Sequence, residues 1–583
     1  MMRAPIRASI AAALLLGAAG ALAGQAIVPP PPPPPPPAVQ AQTAPASDDS
    51  PDATSRLSGP AAYTIAGMVV SASGGTPLDR AEVSLTTPGP RGSPIAQTIT
   101  SENGGFRFDR LQAGKYRLEV SRRGYITSAY QDHDGFATAI VTGPDLDTSG
   151  LRFELKPSAI IGGTVTDDAG EPVGGAQVRL FRREARTGES HIIGAGTDIT
   201  DDTGVYEFAR LRAGTYFIAV TTSPWYAFHP GAKTDDNGNP LPPDQQPRSP
   251  LDVAYPTTYY PNALDSDSAA PLTLNAGDHV QADFSLHAVP AIHVQVRVPT
   301  GGEGRGTPMP MLMQQIFSSE QNQQIGGMFS TVKNDVMTVD LGGVAPGHYV
   351  LRQFGQGGET PRTAGVDLTS DATVDFNAVA GLSGGVDVSG KLAMVAGKLP
   401  ERVTVQLTAT GRDANIPGVR AGADGTFEFH SVAPGTYDLQ VRATGSSLSV
   451  TQLAVSGGES QGNRITVAAE PVLIAASIAS GSTTVTGYAK LDGKGVGGVM
   501  IVLVPRDPAS HDLYRRDQSD TDGSFTLNRV VPGSYTLVAI QDGWTLEWAR
   551  PEAIAPYLAR GVRIQTSGQK TLEVPNAVEV QPR

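Results

Sequence analysis

The sequence predicts an all-β protein built from tandem antiparallel β-sandwiches, and three observations support this prediction. Apolar and polar residues alternate with period two in short runs, for example over residues 81–85. The chain of 583 residues contains 67 glycines and 47 prolines, which mark frequent turns. One series of motifs recurs along the chain after residue 60. Short strands of this kind bury one face each, so each unit needs two sheets packed face to face.

The first segment of the chain is predicted to be a signal peptide over residues 1–23. Arg3 and Arg7 precede an apolar run over residues 10–22, and Ala-Leu-Ala at 21–23 has the form of a cleavage site. The alternative is an uncleaved membrane anchor. No later segment holds 18 continuous apolar residues, so we expect no membrane span in the mature chain. The expected location is therefore outside the cytoplasm: periplasmic, on the outer surface, or secreted.

The next segment, residues 24–60, is predicted to be a proline-rich disordered linker. Residues 29–37 are an unbroken proline run, which favours polyproline II. At about 3.1 Å per residue such a run forms a spacer of about 28 Å.

The repeats that follow define five predicted sandwiches. Each repeat contains a Gly-x-Tyr motif, at Tyr116, Tyr216, Tyr349, Tyr437 and Tyr535. Each tyrosine ring is expected in the core, with its hydroxyl bonded to a backbone carbonyl. The predicted boundaries are 61–156, 157–289 with an aromatic insert at 221–262, 290–378 as a degenerate copy, 379–469, and 470–583 with a short helix near 551–560.

The repeated motifs resemble the carboxypeptidase regulatory-like domain. The motifs are Ala-x-Val-x-Leu at 81–85 and 176–180, Asp-Gly-x-Phe-x-Phe at 424–429, and Leu-x-Ala-Gly-x-Tyr at 111–116 and 211–216. The resemblance implies a transthyretin-like β-sandwich and an accessory role without peptidase activity. Related sandwiches include starch-binding-like folds, so carbohydrate binding follows only as an analogy at the level of the fold.

Composition excludes several classes of function. The formal net charge is −13, whereas nucleic-acid binding requires a basic face for phosphate contacts. The absence of cysteine excludes disulfides, thiolate metal sites and a lipoprotein anchor. None of the nine histidines has a glutamate three residues later, so the sequence offers no zinc-peptidase motif. We therefore expect no catalytic residues, no metal ligands and no cofactor.

Acidic turns are the best remaining candidates for binding a cation. They contain Asp198, Asp201, Asp202, Asp520 and Asp522. Carboxylates clustered at a turn can bind calcium weakly, but no full calcium-loop spacing is present. Ordinary capping of the turns is the expected role, and calcium binding remains an open alternative.

Aromatic residues after the Gly-x-Tyr strands are the candidate ligand-binding residues. All three tryptophans, Trp225, Trp544 and Trp548, lie in this region. Exposed rings could stack an extracellular glycan or peptide. The predicted ligand-binding residues are Trp225, Tyr226, Tyr259, Tyr260 and Trp544. The alternative is that these rings cover the end of a sandwich or pack against the next one.

These observations predict a non-catalytic, exported, modular binding or spacer protein of the bacterial cell periphery. One alternative is a carbohydrate-binding protein that stacks a glycan on its aromatic loops. A second alternative is a purely structural or protein-docking array. The expected partner is an extracellular polysaccharide or a cell-surface protein, and no nucleic acid.

Overall fold

The computed structural model describes residues 62–583, with short gaps. The gaps are residues 90–91, 186–187, 232, 237, 239–240, 243–244, 247, 300–308, 318, 323–326, 354–361, 377, 379–384, 411–415 and 417. The predicted signal peptide and proline-rich linker lie outside the described residues.

The first sandwich consists of two sheets that enclose one apolar core. One sheet has the strand order β4-β1-β8, and in the other β3-β2-β5 continues to β6, with β7 also pairing β5. Along β5 the residues Tyr116, Leu118 and Val120 are buried, as the period-two pattern predicts. The strands are β1 (Tyr63–Ser71), β2 (Glu82–Thr86), β3 (Pro94–Ile99), β4 (Gly105–Leu111), β5 (Gly114–Ser121), β6 (Ser128–Ala129), β7 (Ile140–Thr142) and β8 (Leu151–Leu155).

The second sandwich repeats this plan and carries a long insert after its fifth strand. Its sheets are built on β12-β9-β17 and β11-β10-β13-β15, and β14 in the insert pairs with β19. The strands are β9 (Ala159–Thr166), β10 (Gln177–Glu184), β11 (His191–Ile199), β12 (Val205–Leu211), β13 (Gly214–Thr221), β14 (Val253–Ala254), β15 (Thr258–Tyr259), β16 (Leu272–Leu274), β17 (His279–Gln281), β18 (Phe284–Ser285) and β19 (Val289–Pro290), with a 3-10 turn at Ser266–Ser268.

The third sandwich is complete, although its sequence motifs are the weakest of the five. Its two four-stranded sheets have the orders β23-β24-β20-β27 and β22-β21-β25-β26. The strands are β20 (Ile292–Pro299), β21 (Pro310–Ile316), β22 (Ser319–Asn322), β23 (Gly327–Lys333), β24 (Val336–Val344), β25 (Gly347–Gln353), β26 (Arg362–Leu368) and β27 (Ala372–Asp375).

The fourth sandwich has a four-stranded and a five-stranded sheet. Their strand orders are β31-β28-β36-β33 and β30-β29-β32-β35-β34. At its Asp-Gly turn Gly425 has φ of +85°, as the motif predicts, and an added Cβ would lie 2.3 Å from the carbonyl oxygen of Leu392. The strands are β28 (Val386–Met394), β29 (Val403–Ala409), β30 (Val419–Arg420), β31 (Thr426–Val432), β32 (Gly435–Ala443), β33 (Leu448–Ser456), β34 (Gly458–Gln461), β35 (Arg464–Val467) and β36 (Val472–Ser480).

The fifth sandwich differs because its last strand pairs with both sheets. β45 runs parallel to β37 at Ala489 and parallel to β42 at Ala539. The strands are β37 (Thr483–Leu491), β38 (Lys494–Gly495), β39 (Met500–Pro505), β40 (Arg515–Gln518), β41 (Ser524–Val530), β42 (Gly533–Ile540), β43 (Val562–Thr566), β44 (Thr571–Glu573) and β45 (Val578–Gln581), with 3-10 turns at His511–Leu513 and Gly543–Thr545.

The short helix in this sandwich, α1 (Pro551–Leu558), begins with proline at its first turn. Ile554 is fully buried, and Leu558 packs against the same apolar cluster as the buried Trp548. The helix therefore serves packing.

The Gly-x-Tyr tyrosine makes the same contact in all five sandwiches. Each ring is 3% exposed or less, and each hydroxyl donates to the carbonyl oxygen of the residue four positions earlier. The hydroxyl–carbonyl distances are 2.9 Å for Tyr116 to Gln112, 2.8 Å for Tyr216 to Arg212, 2.7 Å for Tyr349 to Ala345, 2.8 Å for Tyr437 to Ala433 and 3.0 Å for Tyr535 to Val531. The predicted role of the tyrosine is confirmed.

The first and fifth sandwiches contact each other directly. Lys115 Nζ lies 2.6 Å from the Asp520 carboxylate, which also accepts a hydrogen bond of 2.9 Å from the backbone N–H of Ala139. Thr521 donates its N–H to the carbonyl of Ala139 and accepts from the N–H of Val141. The chain therefore folds back on itself, which a purely extended spacer would not do.

Substitutions at Tyr116 test the repeated tyrosine contact. Tyr116→Phe removes one buried hydrogen bond and should lower the free energy of unfolding by about 1 kcal/mol. Tyr116→Ala also leaves a cavity and should cost about 3–5 kcal/mol. Chemical denaturation of the full chain, followed by circular dichroism, measures both. Equal losses for the two variants would show that the hydroxyl, not the ring, dominates.

Candidate binding surface on the second sandwich

The five predicted binding residues lie in different environments. Trp225 is 80% exposed, whereas Tyr259 is buried at 3%. Tyr226, Tyr260 and Trp544 are half-buried. Among the five, only Trp225 presents an open ring of the kind that ligand stacking requires.

Trp225 belongs to an exposed loop, residues 224–228, here called the aromatic loop. Pro224 is buried, and its carbonyl accepts the N–H of Ala227 at 3.0 Å, which closes a turn. The Tyr226 ring stands perpendicular to the Trp225 ring, with 5.8 Å between their centroids. Phe228 is 60% exposed. The turn thus points two large apolar rings at solvent.

Later residues of the insert hold the base of the aromatic loop in place. Phe228 donates its N–H to the carbonyl of Leu251 at 2.8 Å, and the Leu251 side chain is 48% exposed beside this contact. Tyr226 hydrogen-bonds with Tyr255. Burial, followed by the neighbouring Tyr226, raises the pKa of Tyr255. The exposed rings therefore lie on a loop that is hydrogen-bonded to the rest of the insert at Tyr226 and Phe228.

A buried network beneath the loop connects the insert to the third sandwich. Asp252 accepts 2.8 Å hydrogen bonds from His229 Nδ1 and from His293 Nε2. His293 Nδ1 lies 4.0 Å from the Asp340 carboxylate, and Asp340 also accepts a bond of 3.2 Å from Gln295. Asp340 and Asp252 flank the imidazole and raise the pKa of His293 to about 9 despite burial, so the ring is charged at neutral pH.

The prediction of ligand stacking by Tyr259 is wrong. The β15 strand pairs with β13, which turns the Tyr259 ring inward against Phe317 at 5.3 Å, and burial raises its pKa. Tyr260 packs edge-on against Phe284 at 6.0 Å and joins the core of the second sandwich. Both rings serve packing, which is the alternative that the sequence left open.

One face of the Trp544 ring is covered by another side chain. It stacks on His133 of the first sandwich, with 4.5 Å between ring centroids and 4° between planes. The Arg516 guanidinium lies 5.5 Å from its ring centroid on the fifth sandwich. Burial lowers the pKa of His133, which favours the neutral imidazole. Trp544 is thus a packing residue of the contact between the first and fifth sandwiches.

The acidic turns are occupied by internal hydrogen bonds. The Asp201 carboxylate accepts from the N–H and hydroxyl of Thr203 and from the N–H of Val205, which holds its pKa below the ordinary value. Asp198 accepts the N–H of Glu207 at 2.9 Å. These contacts are those of turn capping, whereas Asp520 binds the first sandwich.

Sequence reasoning did not include Phe228 and Leu251 among the binding residues. Phe228 lies within the predicted insert, two positions from Tyr226. Its closeness to Trp225 in the sequence could have indicated that the two rings belong to one loop. Leu251 carried no such signal, because its place beside Phe228 depends on how the insert folds.

Two family models match the chain. The carboxypeptidase regulatory-like domain matches residues 64–154 and 160–241. The second β-sandwich domain of BOS complex subunit NOMO1-like proteins matches residues 383–466 and 481–554. The third sandwich lies outside both matches. No curated protein matches the chain.

Several solved structures are similar at low identity. The Bacillus anthracis TIE protein is 10% identical, with 72% of this chain and 74% of that chain covered and a TM-score of 0.16. The minor pilin GBS52 of Streptococcus agalactiae is 12% identical, with 39% and 97% covered and a TM-score of 0.21. The shaft pilin SpaA of Lactobacillus rhamnosus GG is 11% identical, with 39% and 97% covered and a TM-score of 0.18. Such low scores establish neither the arrangement nor the function of this chain.

Within the described residues, no helix is both long enough and apolar enough to cross a bilayer.

The charged His293 makes the stability of the chain depend on pH. Its pKa of about 9 lies above the value of about 6.5 expected for an unfolded chain. Its contribution should be complete below about pH 6.5 and should vanish as the pH rises through about 9, with a total of at most about 3 kcal/mol. Urea denaturation between pH 6.5 and pH 10 measures this loss. His293→Gln should remove the dependence, and an unchanged slope in that variant would contradict the assignment.

The three tryptophans should respond differently to truncation. Trp225→Ala removes an exposed ring and should change the free energy of unfolding by less than about 0.5 kcal/mol. Trp548→Ala empties a buried position and should cost about 3–5 kcal/mol. Trp544→Ala should lower stability through the lost contact with His133. Thermal denaturation of the three variants distinguishes these outcomes, and a large loss for Trp225→Ala would show that its ring is a packing residue.

Proposed function

We propose that this chain, which carries carboxypeptidase regulatory-like domains in its first two sandwiches, is an exported, non-catalytic binding scaffold of the bacterial cell periphery. Its aromatic loop is the proposed binding surface, and an extracellular polysaccharide is the proposed ligand. Export is inferred from the predicted signal peptide at residues 1–23.

One observation carries this proposal: Trp225 is 80% exposed on a loop that is closed by a turn and hydrogen-bonded to Leu251 through the N–H of Phe228. An exposed tryptophan gains nothing for folding from its apolar surface, so a role outside the fold accounts for it best. Sugar rings present flat faces of C–H groups, which stack well on an aromatic ring. Phe228 extends the apolar surface beside Trp225.

A protein-docking role is the second candidate, and it rests on a different observation. The strand and loop residues of the first and fifth sandwiches pack on one another through Lys115, Asp520, His133 and Trp544. Sandwiches of this kind therefore offer surfaces that recognise another sandwich. A partner protein with a similar domain would fit the same mode of contact.

Binding assays on the mature chain test the two candidates. We expect the chain to bind one or more bacterial polysaccharides on a glycan array, and Trp225→Ala to abolish this binding with an unchanged melting temperature. Ile199→Ala is the matched control, because Ile199 is 63% exposed on β11 of the same sandwich and should bind normally.

Two outcomes would contradict the polysaccharide proposal. Equal loss of binding in Ile199→Ala would indicate non-specific adsorption to apolar surface. Absence of glycan binding, together with capture of a cell-surface protein that depends on Trp225, would favour the docking role.

A further inference from the structure

We propose that Asp387, Glu428 and His430 on the fourth sandwich form a binding site for a divalent transition-metal ion, for which Zn²⁺ is the probe. The site lies on the solvent face of the sheet that contains β28 and β31. It is independent of the aromatic loop and of the proposed ligand.

Sheet geometry brings the three side chains together. β28 and β31 pair antiparallel, with Val388 opposite Phe429. Glu428 and His430 are two residues apart on β31, so they share one face of the sheet. Asp387 lies on the adjacent strand, and all three side chains are exposed while Val388 and Phe429 point into the core. The backbone of two paired strands thus fixes the relative positions of the three residues.

The distances suit a small cation after minor side-chain rotation. His430 Nδ1 lies 3.2 Å from the Asp387 carboxylate, and His430 Nε2 lies 3.9 Å from that of Glu428. One ligand atom from each residue lies within 4.8 Å of the other two. Ligands around a tetrahedral zinc ion at about 2.1 Å are separated by about 3.5 Å. The side chains are 55–57% exposed, so they have room to rotate to that separation.

The charges at this position are not balanced by the three residues themselves. Two carboxylates flank one imidazole, and a single proton on that ring can offset only one negative charge. A divalent cation offsets both charges. Imidazole nitrogen together with carboxylate oxygen is a ligand set that zinc and neighbouring transition metals accept, whereas calcium prefers oxygen alone.

Strand register identifies the residues of the other sandwiches that are equivalent to Asp387, Glu428 and His430. In the first sandwich the three residues satisfy one another, since Arg107 and Thr64 both bond to Asp109. In the fifth sandwich the three equivalent residues are uncharged, and in the second sandwich only one of the three has a carboxylate. The equivalent residues are Thr64, Arg107 and Asp109 in the first, Ile160, Glu207 and Ala209 in the second, and Thr484, Thr526 and Asn528 in the fifth.

The third sandwich is the informative case. Its equivalent residues are His293, Asp340 and Gly342, so the same position again pairs an imidazole with a carboxylate. There the insert of the second sandwich covers the position, and Asp252 contacts the imidazole at 2.8 Å. In the fourth sandwich the corresponding group is open to solvent.

Isothermal titration calorimetry of the mature full chain tests the proposal. Zn²⁺ added to protein freed of metal at pH 7.5 should bind with a stoichiometry of one ion per chain. His430→Ala should abolish this binding, and Asp387→Asn and Glu428→Gln should each weaken it at least about tenfold, the scale expected for damage to a metal site.

His348→Ala is the matched control. His348 and Asp367 form an exposed cross-strand pair on the third sandwich, with 2.6 Å between Nδ1 and the carboxylate. No third ligand completes a group there among the described residues. This variant should bind Zn²⁺ as the parent chain does.

Four results would overturn the proposal. Zn²⁺ binding that survives in His430→Ala would place the ion elsewhere. Equal loss in His348→Ala would indicate that any exposed histidine binds the ion. Calcium binding that exceeds Zn²⁺ binding would show that only the carboxylates act. Because the site is exposed, a strong chelator should leave the melting temperature unchanged, and a large fall would contradict a surface site.

Discussion

The bond from each Gly-x-Tyr hydroxyl to the carbonyl four residues earlier is the constraint on which the five sandwiches depend. A tyrosine ring can fill the core only if its hydroxyl finds a partner, because an unbonded buried hydroxyl costs free energy. The partner lies in the turn before the strand, so the bond fixes that turn against the core. In the fifth sandwich a Cβ at Gly533 would lie 3.2 Å from the Tyr535 ring, which explains the glycine two residues before the tyrosine. One local contact thus closes the turn and places the central strand.

This contact also explains how much of the structure could be predicted from the sequence. The motif is local, so it survives in the third sandwich at Tyr349 even where the other motifs are weak. The fold class and the short helix depend on similar local patterns and were predicted. The contacts between sandwiches were not, because Lys115 and Asp520 lie far apart in the chain and nothing local links them.

The candidate binding residues show the same difference between features that local sequence predicts and features that depend on distant contacts. A count of aromatic residues identified the region but could not separate open rings from packed ones. Trp225 is exposed because a turn that begins at the buried Pro224 points it outward. Tyr259 is buried because β15 pairs with β13, and Trp544 is covered because a histidine from another sandwich stacks on it. Exposure therefore depends on pairing and on docking between sandwiches, neither of which aromatic spacing encodes.

The third and fourth sandwiches show how burial decides what one sheet position does. His293 and Asp340 occupy the positions that Asp387 and Glu428 occupy in the fourth sandwich. Under the insert this position is buried, and a protonated His293 lies between the carboxylates of Asp252 and Asp340. At the open position solvent screens the carboxylates and a cation can bind between them, so no further protein partner is required. The same backbone register thus gives a fixed link between two sandwiches when it is covered and a place for an exchangeable cation when it is not.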